Sequence, residues 1–126
     1  MEMNSILKMV SDENRLRIIN LIKKDPLCVG EIQTLLGIQQ SNTSRHLEKL
    51  KYTSVIKYRK EGNRIFYYLN DEVLEKYKFL DGLLYQDTTH GKVFKRDIVR
   101  LNKYKQSDYD CDDLKGFNFN YNKLGL

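Results

Sequence analysis

No apolar run in this chain approaches the ~18 residues that a membrane-crossing helix needs, and no signal-peptide pattern opens it. A soluble, cytoplasmic protein is the expectation. Cysteine is scarce, with 2 in the whole chain, Cys28 and Cys111. Two cysteines far apart in sequence make no disulfide framework, so both read as free thiols. Histidine is equally scarce, and neither His46 nor His90 has a metal-ligand partner three or four residues on. Glycine-rich phosphate loops and a serine nucleophile elbow are missing, and no motif brings a cysteine and a histidine together for catalysis. The chain is not expected to be an enzyme. Proline occurs once, at Pro26, where with Asp25 it ends a helix.

What the sequence does hold is charge, unevenly spread. Its 126 residues suffice for one modest core and carry a net charge of +5, with a pI near 9.1. Between residues 45 and 69, Arg45, Lys49, Lys51, Lys57, Arg59, Lys60 and Arg64 face only Glu48 and Glu61, so the local excess equals that of the whole chain. Residues 108–113 hold Asp108, Asp110, Asp112 and Asp113 and no base. A basic block beside an acidic segment points to a polyanionic partner for the block. Asp108, Asp110 and Asp112 also match the first ligands of a calcium loop. Asp113 and Phe119 stand where that loop needs Gly and Glu, and a solvated acidic run is the better reading.

The hydrophobic periodicity predicts a mainly α chain with one β-hairpin, in the order α-α-α-α-β-β-α-α. Met3, Ile6, Leu7, Met9 and Val10 mark a short helix over residues 3–10. Ser11 is a candidate cap for a helix over 12–24, whose Leu16, Ile18, Ile19, Leu21 and Ile22 give a broad buried face. After an extended link at 27–29, a helix over 30–36 meets Gly37, which permits a sharp turn. Residues 55–59 and 64–69 are β-branched and aromatic around Gly62-Asn63, a hairpin signal. Helical periods resume over 71–85 and 91–105, the latter with Val93, Phe94, Ile98 and Leu101 on one side. These last two helices and the first carry more apolar surface than a small domain must cover, which suggests a homodimer interface. Beyond 107 runs an acidic tail that ends in an aromatic/Asn alternation, Phe117, Phe119 and Tyr121. The expected organisation is a core over 1–90, a C-terminal helix over 91–106 and a tail over 107–126.

Residues 39–51 form the odd helix. Thr43, Leu47 and Leu50 share a narrow apolar stripe, with Ser41, Asn42, Arg45, Glu48 and Lys49 opposite and Ser44 and His46 on the flanks. Short polar side chains are costly in a helix. They are also the groups that read base edges in a major groove. Helix, glycine turn, then helix with a polar N-terminal face is helix-turn-helix grammar, and a basic hairpin after it is a wing. The bland alternative is a capped helix with a polar solvent face.

Four segments then occur in order: Ser-Asp-Glu-Asn-Arg-Leu-Arg-Ile (11–18), Leu-Cys-Val-Gly-Glu-Ile (27–32), Gln-Ser-Asn-Thr-Ser-Arg-His-Leu (40–47) and Arg-Lys-Glu-Gly-Asn-Arg-Ile-Phe-Tyr-Tyr-Leu (59–69). Over roughly residues 3–85 they resemble the ArsR–SmtB family of winged-helix repressors. The resemblance implies a homodimer that binds a palindromic operator and is released by an inducer, often a metal ion or arsenite. It implies that Gln40, Ser41, Ser44, Arg45 and His46 read DNA and that Lys60 and Arg64 on the wing reach flanking phosphate or minor groove. Asn42 and Lys49 on the same helix side and Arg59 on the hairpin join them as DNA-binding candidates on their own chemistry. Gln39 departs from the Ser cap common in the family.

The sensor departs further. Cys28 is present, but Gly30 stands where a second cysteine is usual in arsenic and cadmium responders. On the helix matching the zinc site Asp71 is present, but Val73, Leu84 and Asp87 replace the expected His or Glu ligands, which argues against zinc there. The segment Tyr104-Lys-Gln-Ser-Asp-Tyr-Asp-Cys111-Asp-Asp-Leu resembles the tail of arsenic-responding relatives. Cys28 and Cys111 are therefore the candidate thiolate ligands for As(III), an organoarsenical or a soft metal ion. The alternatives stay open: Cys28 as a small buried apolar residue with Cys111 a bare tail thiol, and a winged-helix module without a metal inducer that works through protein contacts or thiol redox state.

Overall fold

Helix α2 (Glu13–Ile22) sits at the centre, with Arg15, Arg17, Ile18, Ile19, Asn20, Leu21 and Ile22 all buried. The computed structural model describes residues 3–85 and 91–114. Before α2 comes α1 (Met3–Val10), whose Ile6 and Val10, one turn apart, face the core. Asp12, not Ser11, caps α2, its carboxylate accepting the Arg15 N–H at 3.0 Å. Ser11 instead donates to the Lys8 carbonyl at 2.8 Å and closes α1.

The winged helix-turn-helix follows as the sequence suggests. Helices α3 (Val29–Leu36) and α4 (Gln40–Tyr52) are joined through Gly37, whose φ of +73° ends α3 in the left-handed conformation that glycine adopts at least cost. Strands β2 (Ile56–Glu61) and β3 (Arg64–Leu69) pair antiparallel from Ile56↔Leu69 to Glu61↔Arg64. Gly62, first residue of the two-residue loop, has the positive φ that a type II′ turn needs.

Two elements differ from the periodicity. The link at 27–29 supplies a strand, β1 (Leu27–Cys28), which pairs with β3 at Leu27↔Tyr67 and Cys28↔Phe66, giving the sheet order β1-β3-β2. The helix expected over 71–85 breaks at Tyr77 into α5 (Asp71–Lys76) and α6 (Lys78–Tyr85). The bend keeps Leu80 and Leu84, each at 0% exposure, on the same core as Val73 and Leu74.

Helix α7 (Lys92–Gln106) lays part of its apolar face across α2 and α3 within the chain. Leu101 is buried and Ile98 packs against the core. In the same stripe Asp97, at 0% exposure, takes the Arg17 guanidinium through both oxygens, at 2.8 and 3.0 Å. Arg17 also donates to the Leu36 carbonyl at 2.8 Å, and Arg100 to that of Leu35 at 3.1 Å. These bonds satisfy carbonyls at the end of α3. The described start of the tail, residues 107–114, is anchored, because Cys111 and Leu114 are buried against the body. The acidic run there is a turn that caps itself, with Asp110 Oδ1 accepting the Asp112 and Asp113 N–H groups at 2.9 and 3.2 Å. His90 and the aromatic/Asn alternation lie outside the described residues.

A buried pair of this kind is expensive to break by one half. Asp97→Ala is expected to cost about 3–5 kcal/mol in urea unfolding by leaving Arg17 buried and unpaired. Arg17→Met combined with Asp97→Leu should lose much less than either single change.

Candidate DNA-binding surface and thiol pair

Thr43, His46, Leu47 and Leu50 hold α4 to the body. Their spacing of three, four and seven residues is the inner stripe of a helix. Gln40, Ser41, Ser44, Arg45 and Lys49 remain exposed, and Asn42 is half-buried. Gln39 makes no side-chain cap, and its carbonyl takes the Thr43 N–H and hydroxyl, both at 2.9 Å. Arg45 donates to Asn42 Oδ1 at 2.5 Å, which fixes the guanidinium on the outer face. A groove of about 550 Å³ runs along Gly37, Gln39, Ser41, Asn42 and Arg45.

His46 is a correction. It is 4% exposed, and its Nδ1 faces Arg15 Nη1 at 3.4 Å. That contact requires a neutral ring with Nδ1 as acceptor. Arg15 in turn donates to the Met9 carbonyl at 2.8 Å, so His46 joins α4 to the end of α1 and does not face outward. Burial holds its pKa below the usual 6.5; the Asp12 carboxylate opposes this, and Arg15, Arg45 and Lys49 add to it.

On the wing, Lys60 is exposed. Arg59 pairs with Glu61 at 2.9 Å and lies about 6 Å from the Phe66 and Tyr68 ring centres. Arg64 is engaged by the tail: its Nε donates to Asp112 Oδ1 at 3.2 Å and its Nη2 to Asp112 Oδ2. Lys51 sits 4.6 Å over the Tyr58 ring and links the end of α4 to the wing.

The cysteines are not free. Cys28 and Cys111 are joined as a disulfide with Cα atoms 6.4 Å apart. Sequence distance hid this, because α7 carries the chain back to the start of α3. Glu31 lies beside the pair, its Oε1 accepting the Cys28 N–H at 2.8 Å and its Oε2 the Tyr104 hydroxyl. Burial, aided by that carboxylate, pushes the Tyr104 phenol far above its usual value. One sulfur from each cysteine and one Glu31 oxygen lie within 4.8 Å of one another.

Comparison with known proteins now decides the family. Residues 12–57 match the model of the arsR family of bacterial regulatory proteins. The transcriptional repressor SdpR of Bacillus subtilis is 36% identical over 73 residues, 58% of this chain and 81% of that protein. The chain belongs to the ArsR family. The cadmium resistance regulator CadC of Listeria innocua is 35% identical over 69 residues, 54% of this chain, and the match spans 58% of CadC's own length. Reduced HlyU from Vibrio cholerae superposes with a TM-score of 0.55 at 33% identity, over 66% of this chain and 88% of that one. These relatives are transcriptional regulators, not enzymes, and the solved HlyU shares the winged-helix fold described above.

The lowered His46 pKa has a signed consequence. The unfolded chain takes up this proton before the folded one does, so stability is full above pH 6.5 and falls as pH drops below it. Thermal midpoints measured from pH 7.5 to pH 5 should fall, and His46→Gln should flatten that stretch. An unchanged slope in the variant would remove His46 as its cause.

Proposed function

We propose that this chain is a DNA-binding transcriptional repressor that binds a palindromic operator as a homodimer. The observation that carries it is α4: a helix anchored by four buried side chains that turns Gln40, Ser41, Ser44, Arg45 and Lys49 outward beside a basic hairpin. Those are the donors and acceptors that pair with base edges and phosphates, and a winged helix presents them to the major groove. Asn42 orients Arg45. Arg59, Lys60 and Arg64 serve flanking phosphate. The dimer forms around residues 3–10, where Met3 and Leu7 are 51% and 44% exposed, with 71–85 and 91–105 beside it. Val99, 51% exposed on α7, supports that face.

The inducer reading rests on the thiol pair. Reduced, Cys28 and Cys111 offer two adjacent sulfurs, a donor set that fits a soft metal ion or an organoarsenical taking two thiolates. Inorganic As(III) with three sulfurs would need a third from elsewhere. Both Glu31 oxygens are engaged, so the carboxylate serves as a neighbour that holds Cys28 in place. The disulfide itself favours a second reading, in which the oxidation state of the pair is the signal.

Binding to a duplex containing the operator should involve two chains and weaken steeply with salt, by about 0.9 in log K per log salt for each phosphate neutralised. Arg45→Ala should cost about 1–3 kcal/mol at the operator. A loss equal on random DNA would reassign Arg45 to phosphate.

Titrating the reduced protein–operator complex with a phenylarsenical, arsenite or cadmium should release DNA from the wild type and not from Cys28→Ser or Cys111→Ser. An identical response from all three proteins excludes thiol sensing.

A further inference from the structure

The wing arginine that the repressor reading assigns to DNA already holds an anion. Asp112 meets Arg64 through two nitrogens and two oxygens, the fork geometry in which a guanidinium takes a phosphate. One residue before Asp112 is Cys111, bonded to Cys28, and two residues after it is Leu114 at 0% exposure. The acidic segment is thus fastened on both sides of the carboxylate.

Sheet register explains why both attachments fall in one place. Cys28 of β1 stands opposite Phe66 of β3, and Arg64 is two residues from Phe66 on the same strand. Side chains alternate along a strand, so Arg64 and Phe66 share a face with Cys28 as their cross-strand neighbour. Residues 111–112 dock along that face, sulfur to sulfur and carboxylate to guanidinium. Asp110 and Asp113 add negative charge in the same turn, where a phosphate backbone would have to approach.

We propose that residues 107–114 form an autoinhibitory strap in which Asp112 competes with operator phosphate for Arg64, and that the Cys28–Cys111 bond is its latch. This rests on the DNA-binding reading above. An exposed ion pair is weak alone, but a tethered partner acts at a high effective concentration. The bond supplies that tether. Two equivalents of a small thiol reduce the disulfide by two electrons, giving two protein thiols and the oxidised thiol's own disulfide. The strap then loses its covalent latch and keeps only non-covalent contacts, Leu114 and the ion pair among them, and DNA can displace it. Oxidation of the two thiols by a disulfide-containing oxidant reverses the step and restores the strap.

The test uses the full chain on a duplex DNA, followed by fluorescence anisotropy with and without a phosphine reductant. Asp112 is exposed, so Asp112→Asn should fold normally, as circular dichroism will verify. In the oxidised protein Asp112→Asn is expected to tighten DNA binding about two- to fivefold, the scale of one exposed ion pair. The salt slope should steepen by roughly one phosphate. Reduction of the wild type should give a gain of the same sign, and Cys111→Ser should be insensitive to the reductant. In an Arg64→Ala background the Asp112→Asn gain should vanish. If the gain persists there, it reflects general charge removal and the competition is overturned. Equal affinity of oxidised and reduced wild type overturns the latch. Failure of the strap leaves Arg45-dependent DNA binding intact, whereas failure of the repressor reading removes that binding from every variant and the strap with it.

Discussion

The buried pair between Arg17 and Asp97 decides where residues 91–114 go. A carboxylate at 0% exposure on an otherwise apolar helix face tolerates few orientations, because it must meet a cation that is equally dry. Such a pair adds little net stability by itself. The favourable energy comes from packing around Leu101 and Ile98, while the ion pair sets the register in which that packing occurs. With α7 fixed, Tyr104 reaches Glu31, and the chain leaves α7 heading for the start of α3. Disulfide, acidic turn and wing contact all follow from that heading.

Helix α4 works under an opposite constraint. Its outer residues are poor helix formers, and its N-terminus lacks a side-chain cap. The helix is therefore held from beneath, by Thr43 bonded to the Gln39 carbonyl, by Leu47 and Leu50 in the core, and by His46 against Arg15. Stability resides on the inner stripe, so the outer face is free to carry groups chosen for recognition.

The winged helix was legible because its signals are local: a glycine where the turn needs positive φ, a change of period from helix to strand, a loop with Gly62 where II′ geometry requires it. Burial of His46 was also legible, since 43, 46, 47 and 50 complete a helical stripe, but a histidine beside a recognition face reads as functional by residue type. Asp97 carried a fainter signal, a charge inside an apolar stripe. Its partner Arg17, 80 residues away, did not, and neither did the meeting of Cys28 and Cys111. Such contacts depend on where a helix is aimed, and hydrophobic spacing leaves that undetermined. The same blindness hid that part of the α7 face is covered within the chain, by α2 and α3.

The sheet turns these long-range contacts into one device. A winged helix needs only β2 and β3 for its wing. The third strand, β1, places Cys28 across from Phe66 and so within the wing's own hydrogen-bonded ladder. Chemistry at Cys28 is thereby one strand away from an arginine that is held by the chain's own carboxylate and that we propose exchanges it for a phosphate. No long relay through the core is required, because the sulfur, the guanidinium and the acidic turn share one face. A thiol-directed ligand and an oxidant would act on the same two sulfurs, and each would be read at the wing by what it does to the position of Asp112.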